Sequence, residues 1–353
     1  MTLYEILKQA TEEQASDIFL IAGLPVTYKI KGIQNRVGEG FMKPKDILPL
    51  IDEIYETGRR ERVNLDAGID DDFSFSIPDL GRFRVNVFRQ RGSVAAVIRV
   101  IKFGIPDPAE LGIPESVLSL ADNKTGLVLV AGAAGSGKST TLACMIDRIN
   151  NRRECHVITM EDPIEYLHSH KKSIVSQREV FIDTPGYLDS LRSALRESPD
   201  VILLGEMRDY ETISSAITAA ETGVLLFSTL HTSSAANTIN RIVDVFPANQ
   251  QLQVRGQLAQ LIRGVICQQL VTTTDGHLQP VFEVLKTNPA IQNMIREGKL
   301  HQLDSAMQAN AADGMCTMDG SLFDLVRQKR ITRETALAVC NNYEFLSKRL
   351  GNS

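Results

Sequence analysis

Residues 126–141 read GLVLVAGAAGSGKSTT. The run at 127–131 is short and apolar throughout, the pattern of a buried strand. It leads directly into Gly132, Ala133, Ala134, Gly135, Ser136, Gly137, Lys138 and Ser139, a full match to the Walker A phosphate loop G-x-x-x-x-G-K-[ST]. Thr140 and the residues up to Ile146 then read as the first turns of a helix. Strand, glycine loop and helix follow in the order the motif requires. A triphosphate needs many donors close to its oxygens. Glycines let backbone N–H groups turn inward with no Cβ in the way. The helix that starts at the loop points its positive dipole end at the same oxygens. Lys138 supplies a charge to the β- and γ-phosphates, and the Ser139 hydroxyl is a ligand for Mg²⁺. ATP with Mg²⁺ is the expected ligand, bound by residues 132–140.

The 353-residue length is that of about two domains. An apolar content of 43% is ordinary for a chain that buries real cores. A net charge of −5 and a pI near 5.8 give no footprint for general nucleic-acid binding, so no nucleic-acid partner is expected. The five cysteines (Cys144, Cys155, Cys267, Cys316, Cys340) are dispersed and include no C-x-x-C pair. That usage fits a reducing cytoplasm rather than a disulfide frame or a zinc site. The N-terminus is polar and charged, with no secretory signal. No apolar run approaches the ~18 residues of a membrane helix, so any membrane role is expected to be peripheral.

Along the chain, residues 1–102 read as a small α/β domain. Leu3, Ile6, Leu7 and Ala10 have helical spacing. Strands are expected at 16–20, on either side of the Lys31-Gly32 turn within 26–33, and at 70–77, 82–91 and 95–101. A helix is expected over 44–64. Residues 103–116 form a linker, with three prolines and two glycines within 103–114. From 117 to 353 the pattern is that of a nucleotide-binding domain. Strands at 127–131, 156–160, 201–205 and 224–229 alternate with helical segments, which predicts a parallel sheet with covering helices. From about 249 the pattern reads as mainly helical.

Four further stretches belong with the phosphate loop. Residues 159–165, Thr-Met-Glu-Asp-Pro-Ile-Glu, end a predicted strand with three carboxylates. Glu161, Asp162 and Glu165 are placed where ligands bind such sheets, either to polarise water or to hold Mg²⁺. Residues 201–206 run apolar into Gly205 and Glu206, resembling a Walker B strand whose acid binds Mg²⁺ directly or through water. His231 follows the strand ending at Thr229 and is a candidate to reach a γ-phosphate. The strand 81–91 carries arginines on alternate positions. They are either a solvated sheet face or a source of an arginine finger acting on a neighbouring subunit's nucleotide.

Together these residues resemble the secretion ATPases of the type II/type IV pilus class. The signature is the stretch from Arg196 through Pro199, Asp200 and 202–209 (Ile-Leu-Leu-Gly-Glu-Met-Arg-Asp). Residues 16–20, 81–86, 161–165, 219–223 and 290–297 support it, and the resemblance is to the pilus-retraction branch over nearly the whole chain. It implies an α/β protein with a PAS-like N-terminal domain and a RecA-like P-loop ATPase domain with a helical C-terminal end. It also implies a homohexamer that hydrolyses ATP to drive pilus retraction at the inner face of the cytoplasmic membrane. The expected partner is the inner-membrane pilus platform protein, with a PilU-like accessory ATPase as another. An accessory role of that PilU-like kind, or a DNA-directed RecA-type ATPase, are the alternatives. By resemblance, Glu165 is the catalytic carboxylate, Glu206 the Walker B acid and His231 the TLH-box histidine. Arg82, Arg84 and Arg99 are the arginines expected to reach nucleotide. The chain departs from the family at Val224, where a His is usual, and at Ala133-Ala134, where Pro-Thr is common. The loop's backbone donors survive the second change.

Overall fold

The computed structural model describes residues 1–38, 40–101 and 104–351, and its first element is the helix that the N-terminal periodicity demands. Helix α1 (Leu3–Glu12) buries Leu3, Ile6, Leu7 and Ala10. A capping box closes its start: the Thr2 hydroxyl accepts from Glu5 N, and the Glu5 carboxylate accepts from Thr2 N. Strands β1 (Asp17–Leu20), β2 (Val26–Ile30) and β3 (Ile33–Val37) follow, then α2 (Pro44–Thr57), β4 (Asp71–Ile77), β5 (Gly81–Gln90) and β6 (Ser93–Ile101). The six strands form one antiparallel sheet in the order β3-β2-β1-β6-β5-β4. Alternation in β5 sends Phe83, Val85 and Val87 into the core with residues of α1 and α2, and Arg82, Arg84 and Asn86 to the other face.

Helix α2 ends seven residues short of the expected position. Its apolar stripe stops at Tyr55, and the residues beyond are mostly charged. Gly58 caps it where a Cβ would stand 2.7 Å from the Phe73 ring. Arg59 then enters the left-handed region at φ 48, which turns the chain out of the helix.

The second part holds α3 (Glu115–Leu118), β7 (Gly126–Ala131), α4 (Lys138–Arg152), β8 (His156–Glu161), β9 (Ile174–Glu179) and α5 (Tyr187–Ala194). It continues with β10 (Val201–Leu204), α6 (Tyr210–Glu221), β11 (Leu225–Leu230), α7 (Ala235–Asp244), α8 (Ala248–Leu261), β12 (Ile262–Thr272) and β13 (Leu278–Lys286). Helices α9 (Pro289–Glu297), α10 (Leu303–Ala309), α11 (Met318–Arg327), α12 (Arg333–Val339) and α13 (Tyr343–Gly351) complete it. The sheet order is β13-β12-β7-β11-β10-β8-β9. Every residue of β7 is buried. Leu127, Leu129 and Ala131 face one core, and Val128 and Val130 the other, beside Leu142, Met145 and Ile146 of α4. Each such side chain contributes about 1.5–3 kcal/mol relative to exposure, which fixes where the loop after β7 emerges.

Two expectations are corrected here. The sheet is mixed rather than wholly parallel, because β13 runs antiparallel to β12. The region from 249 is not mainly helical until Pro289, since two long strands follow α8. The apolar run from Ile262 to Val271 is buried on both faces, and such a run carries no clear period of two. Asp275-Gly276, with Gly276 at φ 84, makes the hairpin turn.

The chain divides into two compact units, Met1–Gly104 with Glu165–Leu167, and Ile105–Ile164 with His168–Ser353. The expected boundary at 102–103 lies outside the described residues. Among the described residues no helix is long and apolar enough to cross a membrane.

Candidate functional site

The phosphate loop leaves β7 at Ala131 and becomes α4 at Lys138. Its glycines answer to a neighbour. A Cβ on Gly132 would stand 2.3 Å from the Gln268 carbonyl oxygen of β12, and one on Gly137 would stand 2.9 Å from Gln268 Nε2. Both glycines also have positive φ, at 148 and 87. The loop is therefore pressed onto Gln268, whose Oε1 accepts from the buried Thr141 hydroxyl at 2.7 Å. Ala133, Ala134 and Gly135 form the exposed crown. Lys138 is buried beneath it and donates to the carbonyls of Gly132 (2.8 Å) and Ala133 (2.9 Å). Ser139 and Thr140 are half-buried in the first turn of α4. The Ser136 hydroxyl is buried with no hydrogen-bond partner among the described residues, a polar atom suited to an incoming oxygen.

Two cavities flank the loop. One, of about 570 Å³, lies between residues 132–136, the segment 231–233, Asn237 and residues 268–270. The other, of about 440 Å³, lies between Gly137, Thr140, Thr141, residues 109–113, Leu278, Gln279 and Arg330. Gln268 and Leu270 wall both. The first is framed by the loop with His231, Thr232, Ser233 and Asn237, groups that can meet a phosphate chain. The second is edged by Ile113, Leu270 and Leu278, against which a base can pack.

At the carboxyl edge of the sheet Glu206 comes against His231, which lines the first cavity. His231 Nε2 lies 3.6 Å from Glu206 Oε2, and Arg208 pairs with the other carboxylate oxygen. Gly205, which separates Glu206 from β10, has a packing reason. A Cβ there would stand 2.8 Å from the Tyr187 hydroxyl and 3.0 Å from the Met160 carbonyl. Its carbonyl accepts from the Thr229 hydroxyl at 2.6 Å, tying β10 to β11 just before His231. Burial above all, then the Glu206 and Asp162 carboxylates, push the Tyr187 hydroxyl above its ordinary range.

In the acidic stretch, Glu161 accepts from the Thr159 hydroxyl (2.7 Å) and from Gln177 Nε2 (3.3 Å). Ile164 N donates to the buried Glu179 at 3.1 Å, which holds the loop after β8. Glu165 is exposed and groups with the first unit. In that unit Arg82, Arg84 and Arg99 share the sheet face opposite the helices, with Arg84 and Arg99 directly opposed across β5 and β6. Asp72 grips Arg84 at two points (2.9 and 2.5 Å), and Asp17 holds Arg99 at 3.2 Å. Arg82 donates to the Ser76 hydroxyl at 3.3 Å. The second unit by itself thus assembles the phosphate loop, Glu206 and His231. Glu165 and the three arginines belong to the first.

Sequence reasoning missed Gln268, Tyr187, Asn237 and Arg330. Only Gln268 carried a signal: Gln268-Gln269 is a polar pair inside an otherwise apolar run. Val224, where the family His is usual, is a buried core side chain beside the start of β11.

The loop, its buried lysine and the acid–histidine pair at a sheet's carboxyl edge define a phosphate-loop nucleotide-binding protein. The chain belongs to the Type II/IV secretion system protein family, whose model matches residues 1–318. It is 45% identical over 336 residues to the type IV pilus retraction ATPase PilT of Pseudomonas aeruginosa, covering 95% of this chain and 97% of that one. It is 42% identical over 349 residues to a twitching motility protein of Neisseria gonorrhoeae, covering 98% and 92%. A crystal structure of the pilus retraction motor PilT with bound ADP superimposes with a TM-score of 0.88, at 45% identity over 99% of both chains.

Proposed function

We propose that this chain is an ATPase that powers type IV pilus retraction, built from a PAS-like domain (1–102) and a RecA-like domain (117–353) that work as a homohexamer. One observation carries the reading. A complete phosphate loop shares one cavity with His231, which lies against Glu206, in a chain alike end to end to a retraction motor that binds ADP.

In this reading the loop amides and Lys138 hold the β- and γ-phosphates, and Lys138 exchanges its two loop carbonyls for phosphate oxygens. The residues fit a hard divalent cation, since the Ser139 hydroxyl and the Glu206 carboxylate are oxygen donors. Bound there, Mg²⁺ would neutralise charge on the phosphates. Glu165 accepts the proton of the attacking water, and His231, oriented by Glu206, senses the γ-phosphate. Arg82, Arg84 or Arg99 reaches a neighbouring subunit's nucleotide and stabilises charge in the transition state. To do so Arg84 must leave Asp72, Arg99 must leave Asp17 and Arg82 must leave the Ser76 hydroxyl. Rotation of the domains between nucleotide states transmits the work to a platform protein at the inner face of the cytoplasmic membrane.

Purified protein and a Lys138→Ala variant test this together with pilus-retraction imaging. ATP turnover and retraction are expected for the native chain, and loss of both for the variant. Turnover unchanged in Lys138→Ala would overturn the assignment of the site.

A further inference from the structure

Glu283 is a buried carboxylate near the site that the mechanism above does not use. It lies on β13, 1% exposed, paired across the hairpin with Cys267 of β12, the residue before Gln268. Its two oxygens serve two different helices. Oε1 accepts from Ala235 N, the first residue of α7, at 2.7 Å. Oε2 accepts from Met318 N, the first residue of α11, at 3.2 Å, and from Asn341 Nδ2 at 3.5 Å. Ordinary capping leaves those two amides over. The Ser234 hydroxyl caps α7 at Asn237 N, and the Thr317 hydroxyl caps α11 at Gly320 N. Both helix dipoles present their positive ends to the same carboxylate.

The α7 amide matters because of what precedes it. His231 stands four residues before Ala235, and the segment between is tied to α7 by the Thr232–Thr238 hydroxyl contact at 2.7 Å. Moving the start of α7 moves the histidine. We propose that Glu283 is a positioning residue for His231: one buried carboxylate that locks the start of α7 onto the start of α11 and so sets where the histidine meets the phosphate cavity. This rests on the ATPase reading above. The physical need for a carboxylate is geometric. Two amide donors arrive from separate helices, and a carboxylate offers an acceptor to each. An amide or a protonated carboxyl turns a donor toward one of them. The titratable groups that act on it are Cys267 of β12, Asp304 of α10, Cys316 and Asp319 of α11. Burial, above all, pushes Glu283 up to about 7, and the two acids add to that against the backbone donors.

The test uses the full chain with Glu283→Gln, His231→Ala, the double variant, and Thr2→Ala, which removes the cap of α1 in the first unit, as a purely structural control. Glu283→Gln is expected to lower kcat roughly tenfold, the size of one lost charge-assisted hydrogen bond, with KM for ATP within about twofold. In the His231→Ala background the same change should have no further effect on kcat. Thr2→Ala should lower thermal stability and leave kcat alone. Additive losses in the double variant, or an unchanged kcat in Glu283→Gln, would overturn the proposal. Amide hydrogen exchange read at Ala235 and Met318 decides independently of turnover. At least one of the two amides is expected to exchange faster in Glu283→Gln, because the glutamine keeps a single acceptor, and unchanged exchange at both overturns the lock. Should that variant not fold, Glu283→Asp replaces it: a side chain one methylene shorter cannot hold both amides, so faster exchange at one or both is expected, and unchanged exchange at both would be fatal to the idea. Absent turnover in the native chain would sink the ATPase reading and the role for His231, whereas the exchange result would still judge the lock.

Discussion

Ionised Glu283 should be a measurable stability cost, and its removal gives a sign that can be checked. The carboxyl is raised from 4.5 to about 7 in the folded chain, chiefly because burial disfavours the charge. Between those two values the folded state holds a proton that the unfolded chain has released. Stability attributable to this group is therefore fully present below pH 4.5, falls as pH rises, and levels off above about 7. A shift of that size corresponds to about 3 kcal/mol, at roughly 1.4 kcal/mol per unit. Glu283→Gln has no such slope, and every other titrating group is common to both proteins. Urea unfolding of the two proteins at pH 5, 6, 7 and 8 isolates the difference. The glutamine variant should gain on the native chain by about 3 kcal/mol from pH 5 to pH 8, with most of the change between pH 5 and 7. A pH-independent difference, or a native chain that gains on the variant at high pH, would refute the reasoning. The expected gain also separates stability from function, because the variant that gains stability toward pH 8 is the one predicted to turn over more slowly.

Gln268→Ala removes the acceptor of the buried Thr141 hydroxyl and the wall shared by both cavities; we expect a loss of about 1–2 kcal/mol in stability and weaker ADP binding by fluorescence titration. An unchanged melting temperature and affinity would show that the contact is incidental. Glu165→Gln should bind ATP and fail to hydrolyse it, whereas Glu161→Gln, whose carboxylate is already held by Thr159 and Gln177, should retain turnover. The opposite pattern would move the catalytic role to Glu161. On α9, Ile291 and Ile295 are buried while Arg296 and Glu297 are exposed, so Arg296→Ala with Glu297→Ala should keep ATPase activity and abolish retraction. Equal loss of both activities would make α9 merely structural.

What was legible in the sequence is what is local. The phosphate loop, the periodicity of α1 and the alternation of β5 depend on residues within a few positions of each other. Spacing alone therefore revealed them. The strand–loop–helix order and the arginine face of the N-terminal sheet were readable for the same reason.

Tertiary structure decided what arrives from a distance. Gly132 and Gly137 are read locally as phosphate glycines, yet the nearest atom that a Cβ at either would meet belongs to Gln268, more than a hundred residues further on. Gly205 looks like a flaw in a Walker B strand until Tyr187 is seen packed on it. The β12–β13 hairpin was hidden because a strand buried on both faces loses its alternation, the one periodic signal a strand has. Nothing in the local sequence sets Glu283 apart. Only the convergence of α7 and α11 on it, helices 83 residues apart in first position (Ala235 and Met318), gives its charge a role. Periodicity records which way a side chain points, and the identity of what it meets is set by folding.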